Sequence, residues 1–169
     1  MESCYRKSTT SRFKDGKMAV EPQTTTQHLY ETDYLRWIEV TIAQLRRREI
    51  ENLDWENLCE ELEGMARRER RSLKSNLVVL LLHLLKWQHQ PQQRSGSWKG
   101  SIVEHRRRIR DALQDSPSLK GYLVQVLDTC YEDAIEQACA ETGLSAEVFP
   151  DRCPYTVEQI EERSFFPQG

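Results

Sequence analysis

Apolar residues recur at helical spacing along most of the chain, and the longest such stretch lies between Asp54 and His89. Leu58, Leu62, Met65, Leu73, Leu77, Leu80, Leu84 and Trp87 follow steps of three, four or their sums, which puts them on one side of a helix. The stretch contains no proline, and Gly64 is its one glycine. At about 1.5 Å per residue it would run roughly 54 Å, against a radius of gyration near ~15 Å for a domain of this length. The helix is therefore expected to project, curve or kink, with Gly64 as the bend point. The apolar phase carries across Gly64, which predicts a bend and not a break.

Other segments repeat the period at shorter length. Tyr30 to about Glu49 reads as a first helix capped by Thr32 or Asp33, with Tyr34, Trp37, Ile38, Ile42 and Leu45 as its stripe. Asp54 is a natural N-cap for the long second helix. A third helix is predicted from about Ser97 to Gln114, with Trp98, Ile102, Ile109 and Leu113 inward. Ser116 as N-cap and Pro117 at the first helical position predict a fourth, which ends at Gly143. Thr156 and Gln159 have the spacing of a capping box, opening a short last helix to about Arg163. No segment alternates with period two. The expected fold class is all-α, a single-domain bundle of four to five helices over residues 29–167. Residues 1–28 are polar and aperiodic, and disorder is expected there, with Met18 a second candidate start.

Composition narrows the class. The 169 residues are 38% hydrophobic and 30% charged, with a mean hydropathy of −0.72. No run approaches the ~18 apolar residues of a membrane span, and no secretory signal is expected, so neither is a membrane partner. Five scattered cysteines without a CxxC or a Cys/His cluster predict reduced thiols in a cytoplasm, no metal site and no cofactor. Charge is polarised: residues 36–120 carry a net +5 and residues 128–163 a net −8. Attraction between basic middle and acidic end is the preferred reading, ahead of polyanion binding.

Candidate chemistry sits on the long helix. Glu69, Asn76 and His83 lie seven residues apart inside the apolar stripe, with Lys86 beside them. Polar groups on a core face need partners. Seven residues advance about 10.5 Å, so these groups cannot touch one another, and His105 and Arg106 of the third helix are the candidates to bridge them. The catalytic alternative uses His83 as acid or base, Glu69 to orient it, and Lys86 with Arg106 to stabilise phosphate charge. The structural alternative pairs Glu69 with an arginine and leaves Asn76 and His83 hydrogen-bonded in the core. Arg67, Arg70, Arg71 and Lys74 form a basic face at i, i+3, i+4, i+7, suited to phosphate contacts or simply solvated. Trp55, Trp87 and Trp98 are candidate anchors for a protein partner.

Ordered motifs carry a family resemblance. Tyr30-Glu-Thr-Asp33 with Trp37, Leu53-Asp-Trp-Glu-Asn-Leu58 with Glu61, and His83-Leu-Leu-Lys86-Trp87 come first. Ser97-Trp98, Arg106 with Ile109, Pro117-Ser-Leu119, Tyr131 with Ala134, and Phe149-Pro150 with Cys153-Pro-Tyr155 follow. Over about residues 29–167 this resembles the bacterial family catalogued as domain of unknown function number twenty-nine. The resemblance implies a helical, bacterial, cytosolic domain in which Asp54, Glu61, Glu69, His83, Lys86, Trp87, Trp98 and Arg106 recur. Two functions follow as expectations. The preferred one is a non-enzymatic interaction or regulatory module that binds another protein or itself. The alternative is an enzyme acting on nucleic acid or another phosphate substrate through Glu69, His83, Lys86 and Arg106.

Overall fold

The computed structural model describes residues 26–168, and every regular element among them is helical. In order these are α1 (Thr26–Thr32), α2 (Tyr34–Arg47), α3 (Trp55–His89), α4 (Gly96–Asp115), α5 (Leu119–Thr142) and α6 (Val157–Glu161). The all-α class and the long helix agree with the periodicity. No helix among the described residues is long and apolar enough to cross a membrane. The expected disorder lies outside the described residues up to residue 25. Thr26 to His28 are helical, because Thr32 Oγ1 donates to the His28 carbonyl at 2.7 Å and closes a turn. The chain divides into two compact units between Leu58 and Cys59.

In the first unit Asp33 splits the predicted first helix in two. Its amide closes α1 on the Leu29 carbonyl, and its carboxylate accepts from the Arg36 amide at 3.0 Å as the N-cap of α2. Trp37 is buried, its ring edge-on to Tyr30 at 5.0 Å. Its indole N–H donates to Asp54 Oδ2 at 3.2 Å. Asp54 is itself buried, and it also accepts from the Asn57 amide (3.4 Å) and side chain (2.7 Å) at the start of α3. One carboxylate thus caps a helix and anchors a tryptophan. The buried face of α2 is Trp37 and Thr41, so the predicted stripe is rotated: Tyr34, Ile42 and Leu45 are exposed. The rotation follows from α1 and Asp54 taking the Trp37 side.

In the second unit the core is built on α3 from Leu73 onward. Leu77, Leu80, Leu81, Leu84 and Leu85 are fully buried, which accounts for the unbroken apolar run better than a one-sided stripe does. Ile102 and Ile109 of α4 pack on it, with Leu123, Cys130, Tyr131, Ala134 and Ala138 of α5 and with Phe149, Tyr155 and Ile160 of the C-terminal segment. Residues 59–72 contain no buried residue, so Leu62 and Met65, expected in the core stripe, are exposed. Helix α3 is unbroken through Gly64.

Helix ends refine the boundaries. Ser95 caps α4, accepting from the Trp98 amide, two positions before the predicted start. Ser116 closes α4 by donating its amide to the Ala112 carbonyl, so the following turn delays α5 to Leu119. Gly143 (φ 73°) caps α5 in the left-handed region, and the Thr156–Gln159 capping box is complete. Gly100 lies exposed inside α4, where an added Cβ would meet nothing within 4 Å. Gly100→Ala is therefore expected to raise unfolding stability by about 0.5–1 kcal/mol, read by urea denaturation. A loss of stability would mean that the helix needs glycine there.

Candidate functional site

Lys86 of α3 and Arg106 of α4 are buried in the second unit, and Asn76 and His83 of α3 are half-buried. The Asn76 amide nitrogen donates to the Ser72 carbonyl at 2.8 Å, which leaves its oxygen to accept from His105 Nδ1 at 2.9 Å. His83 Nδ1 donates to the Val79 carbonyl at 2.9 Å, one turn back along its own helix. His105 thus reaches the stripe, and its pKa is lowered by burial first, then by Arg108 and by His83, with Glu104 opposing. Glu69 is exposed, on the part of α3 that precedes the first buried residue.

Lys86 is buried and paired. Its ammonium pairs with Glu141 at the end of α5 and lies 4.5 Å from the centroid of the Trp98 ring. With Lys120–Glu161 at 3.0 Å, this pair joins the basic middle of the chain to its acidic end.

Arg106 is only 2% exposed, and each of its three guanidinium nitrogens donates a hydrogen bond. Nε donates to the Ile160 carbonyl at 3.0 Å, one terminal nitrogen to Arg163 at 3.3 Å, and the other to Phe165 at 2.9 Å. These carbonyls explain why α6 stops at Glu161 instead of Arg163. The backbone there turns its oxygens toward a side chain and away from helical amides. Burial lowers the Arg106 pKa, partly offset by Glu162. The catalytic set is therefore dispersed: Lys86 meets Glu141, Arg106 meets the C-terminal backbone, and Glu69 stands outside.

The aromatic candidates separate as well. Trp87 is half-buried between Phe166 (ring centroids 5.1 Å) and the Arg94 guanidinium (5.0 Å), and Trp98 lies beneath Lys86. Trp55 is 52% exposed, with its indole N–H on the Ile50 carbonyl at 3.1 Å. The basic face is partly spoken for: Arg67 pairs with Glu63 at 3.3 Å, and Arg70 lies over the Tyr122 ring. Arg71 and Lys74 line a groove of about 620 Å³ opposite Asp133 and Glu136 of α5. A second cavity of about 300 Å³ is lined by Val103, Arg106, Arg107, Arg110 and Arg163. On the same helix the Glu104 pKa is held down to about 2 by hydrogen bonds from Arg107 and Arg108. Among the described residues no three His, Cys, Asp or Glu side chains converge as a metal would require.

Some partners were invisible to the periodicity. Tyr131 donates to the Pro150 carbonyl and Tyr155 to Gln88 Oε1, both at 2.8 Å, pinning the extended segment after α5. Burial pushes Tyr131 up to about 12 and raises Tyr155 as well. The acidic surplus of residues 128–163 was the one available sign of Glu141. The carbonyl partners of Arg106 leave no mark in a sequence at all.

These elements define an all-α protein whose polar interior groups hold its C-terminal segment in place. Residues 29–166 match the family described as a domain of unknown function, DUF29, and the chain belongs to that family. No curated protein and no solved structure matches it.

Removing the Arg106 fork leaves three carbonyls without donors. Arg106→Ala is expected to cost about 3–5 kcal/mol in urea unfolding, and Arg106→Lys to recover only part of that. A loss below about 1 kcal/mol would mean that water replaces the fork. The lowered His105 pKa sets a second expectation. The folded imidazole stays neutral where the unfolded one, near 6.5, begins to protonate, so the unfolded state takes up more protons as pH falls. Stability should decline from about pH 7 downward until His105 protonates in the fold, and His105→Gln should flatten that slope. An unchanged slope in the variant would assign it elsewhere, with His89, also lowered by burial, next in line.

Proposed function

We propose that this chain is a non-enzymatic helical interaction module of the bacterial cytosol, working by docking a protein partner against exposed apolar helix faces. The observation that carries this reading is on α2. Leu35, Ile38, Ile42 and Leu45 are spaced three, four and three residues apart, the seam by which one helix meets another. Leu35 is 67% exposed, and Ile42 and Leu45 are exposed beside it, while the adjoining face is closed by Trp37 and Thr41. A seam of this kind is costly to leave in water and has the form of a helix-binding surface. The engagement of Lys86 with Glu141 and of Arg106 with three backbone carbonyls supports the same reading, because these contacts lie within the chain. The bacterial and cytosolic setting rests on the family resemblance and on the charged composition.

A second reading, binding of a phosphate-bearing ligand, is favoured by the arginine-lined cavity of about 300 Å³. It ranks below the first because Arg106 already serves backbone carbonyls and Arg107 pairs with Glu104 and Asp111.

A photocrosslinking residue at Ile42 tests the module reading in extracts of the source cell. The expected result is a defined adduct that disappears with Leu35→Glu. Val124, a lone exposed apolar residue on α5, is the control position. Adducts at Ile42 no stronger than those at Val124 would remove the reading.

A further inference from the structure

We propose that Arg110 and Arg163 hold one phosphate group in the cavity beside Arg106, and that the bound anion fastens the C-terminal segment onto α4. This rests on the phosphate-ligand reading above and gives it residues, a ligand size and a consequence. The cavity of about 300 Å³ is lined by Val103, Arg106, Arg107, Arg110 and Arg163, with no acid among them. Arg107 is neutralised by Glu104 and Asp111. Among the described residues, Arg106, Arg110 and Arg163 form no ion pair. Three guanidiniums therefore share one small space without a counter-ion in contact.

Arg106 makes that imbalance matter. It is buried, and carbonyl oxygens satisfy its hydrogen bonds without cancelling its charge. Burial lowers its pKa, and the field of Glu162 opposes this. Glu162 acts through space on Arg106 and Arg110, while its Oε1 accepts from the amide (3.0 Å) and hydroxyl (2.8 Å) of Ser164. An anion in the cavity would bring the missing charge into contact. Arg110 stands one turn after Arg106 on α4. Arg163 is placed by Arg106 itself, which donates to its carbonyl at 3.3 Å. The planar forks of Arg110 and Arg163 match the oxygens of a phosphate. An anion gripped by both would bridge α4 and the segment after α6.

Size and surroundings select the ligand. The cavity is at the small end of ligand sites, and exposed Val103 offers apolar contact to a short organic body. Glu104 and Asp111 flank Arg107, and Glu161 and Glu162 precede Arg163. These acids would repel the further phosphates of a nucleic-acid strand. Inorganic phosphate or a small phosphate monoester fits.

The test is an NMR titration of the full chain with inorganic phosphate and with glycerol phosphate, at constant ionic strength. Saturable shifts at Arg110 and Arg163 are expected at millimolar concentration or below. Equal binding of the two probes marks free phosphate as the ligand, and tighter binding of glycerol phosphate marks a monoester; each supports the site. Arg110→Gln and Arg163→Gln should each weaken binding about tenfold, with unchanged helical circular dichroism. Arg108→Gln should bind like the wild type, because Arg108 lies two residues from Arg110, across the helix, and pairs with Glu104. Saturating phosphate should also slow exchange of the Ser164 and Phe165 amides, both bonded to Glu162, and this effect should be absent from Arg163→Gln. No shift with either probe would remove this inference and the phosphate reading together, leaving the docking reading to the Ile42 adduct. Binding indifferent to both arginine variants would overturn the residue assignment alone. Binding that leaves amide exchange unchanged would overturn the fastening. A single-stranded oligonucleotide that binds far more tightly than either probe, and loses that advantage in the same variants, would replace the small ligand with nucleic acid.

Discussion

The guanidinium of Arg106 is the constraint on which the second unit depends. A charged group this deeply buried is tolerated only when its hydrogen-bonding capacity is met. Here the donors meet carbonyls of Ile160, Arg163 and Phe165, the residues that end the last helix and lead the chain away from it. A planar fork can serve several backbone oxygens at once, which an ammonium cannot. The C-terminal segment, too short and irregular to hold itself, is thereby fixed against α4. Phe166 then comes to lie over both Trp87 and the Arg106 fork.

Lys86 works by the same logic from the other side of the core. It is the one charge among the buried leucines at the end of α3, and it meets the acidic C-terminal part of the chain at Glu141 and the face of Trp98. Together Lys86 and Arg106 direct the basic middle inward at two points. Of the basic residues of α3 before Leu73, none is buried, and Arg70 lies over the ring of Tyr122 at the core's edge. That contrast separates α3 into a packed half that builds the core and a half, residues 59–72, without a buried residue.

Much of this was legible from residue order. The long helix, the Asp54 and Asp33 caps, Gly143 and the Thr156–Gln159 box all follow from interactions within four residues of one another, which a sequence displays directly. The family was legible too, from motifs spread over nearly the whole described chain. The bridging of the polar stripe by α4 was anticipated, and His105 does reach Asn76. The inward face of α2 was misplaced, because an amphipathic helix with apolar residues on more than half its circumference does not state which side is covered. The core stripe of α3 was overextended for a related reason. Leu62 and Met65 keep the period of Leu73 and Leu77, but each is 56% exposed.

Sequence by itself determined where the helices lie, how most of them are capped, and that polar groups stand on a core face. These depend on local backbone geometry and on the 3.6-residue turn. Only the tertiary structure decided what those groups do. Lys86 and Glu141 are 55 residues apart, and Arg106 and the Phe165 carbonyl 59. No spacing rule joins positions so distant, and the backbone carbonyls that occupy Arg106 belong to every residue type alike. That Arg106 meets its own backbone follows from which surfaces the packed helices brought together.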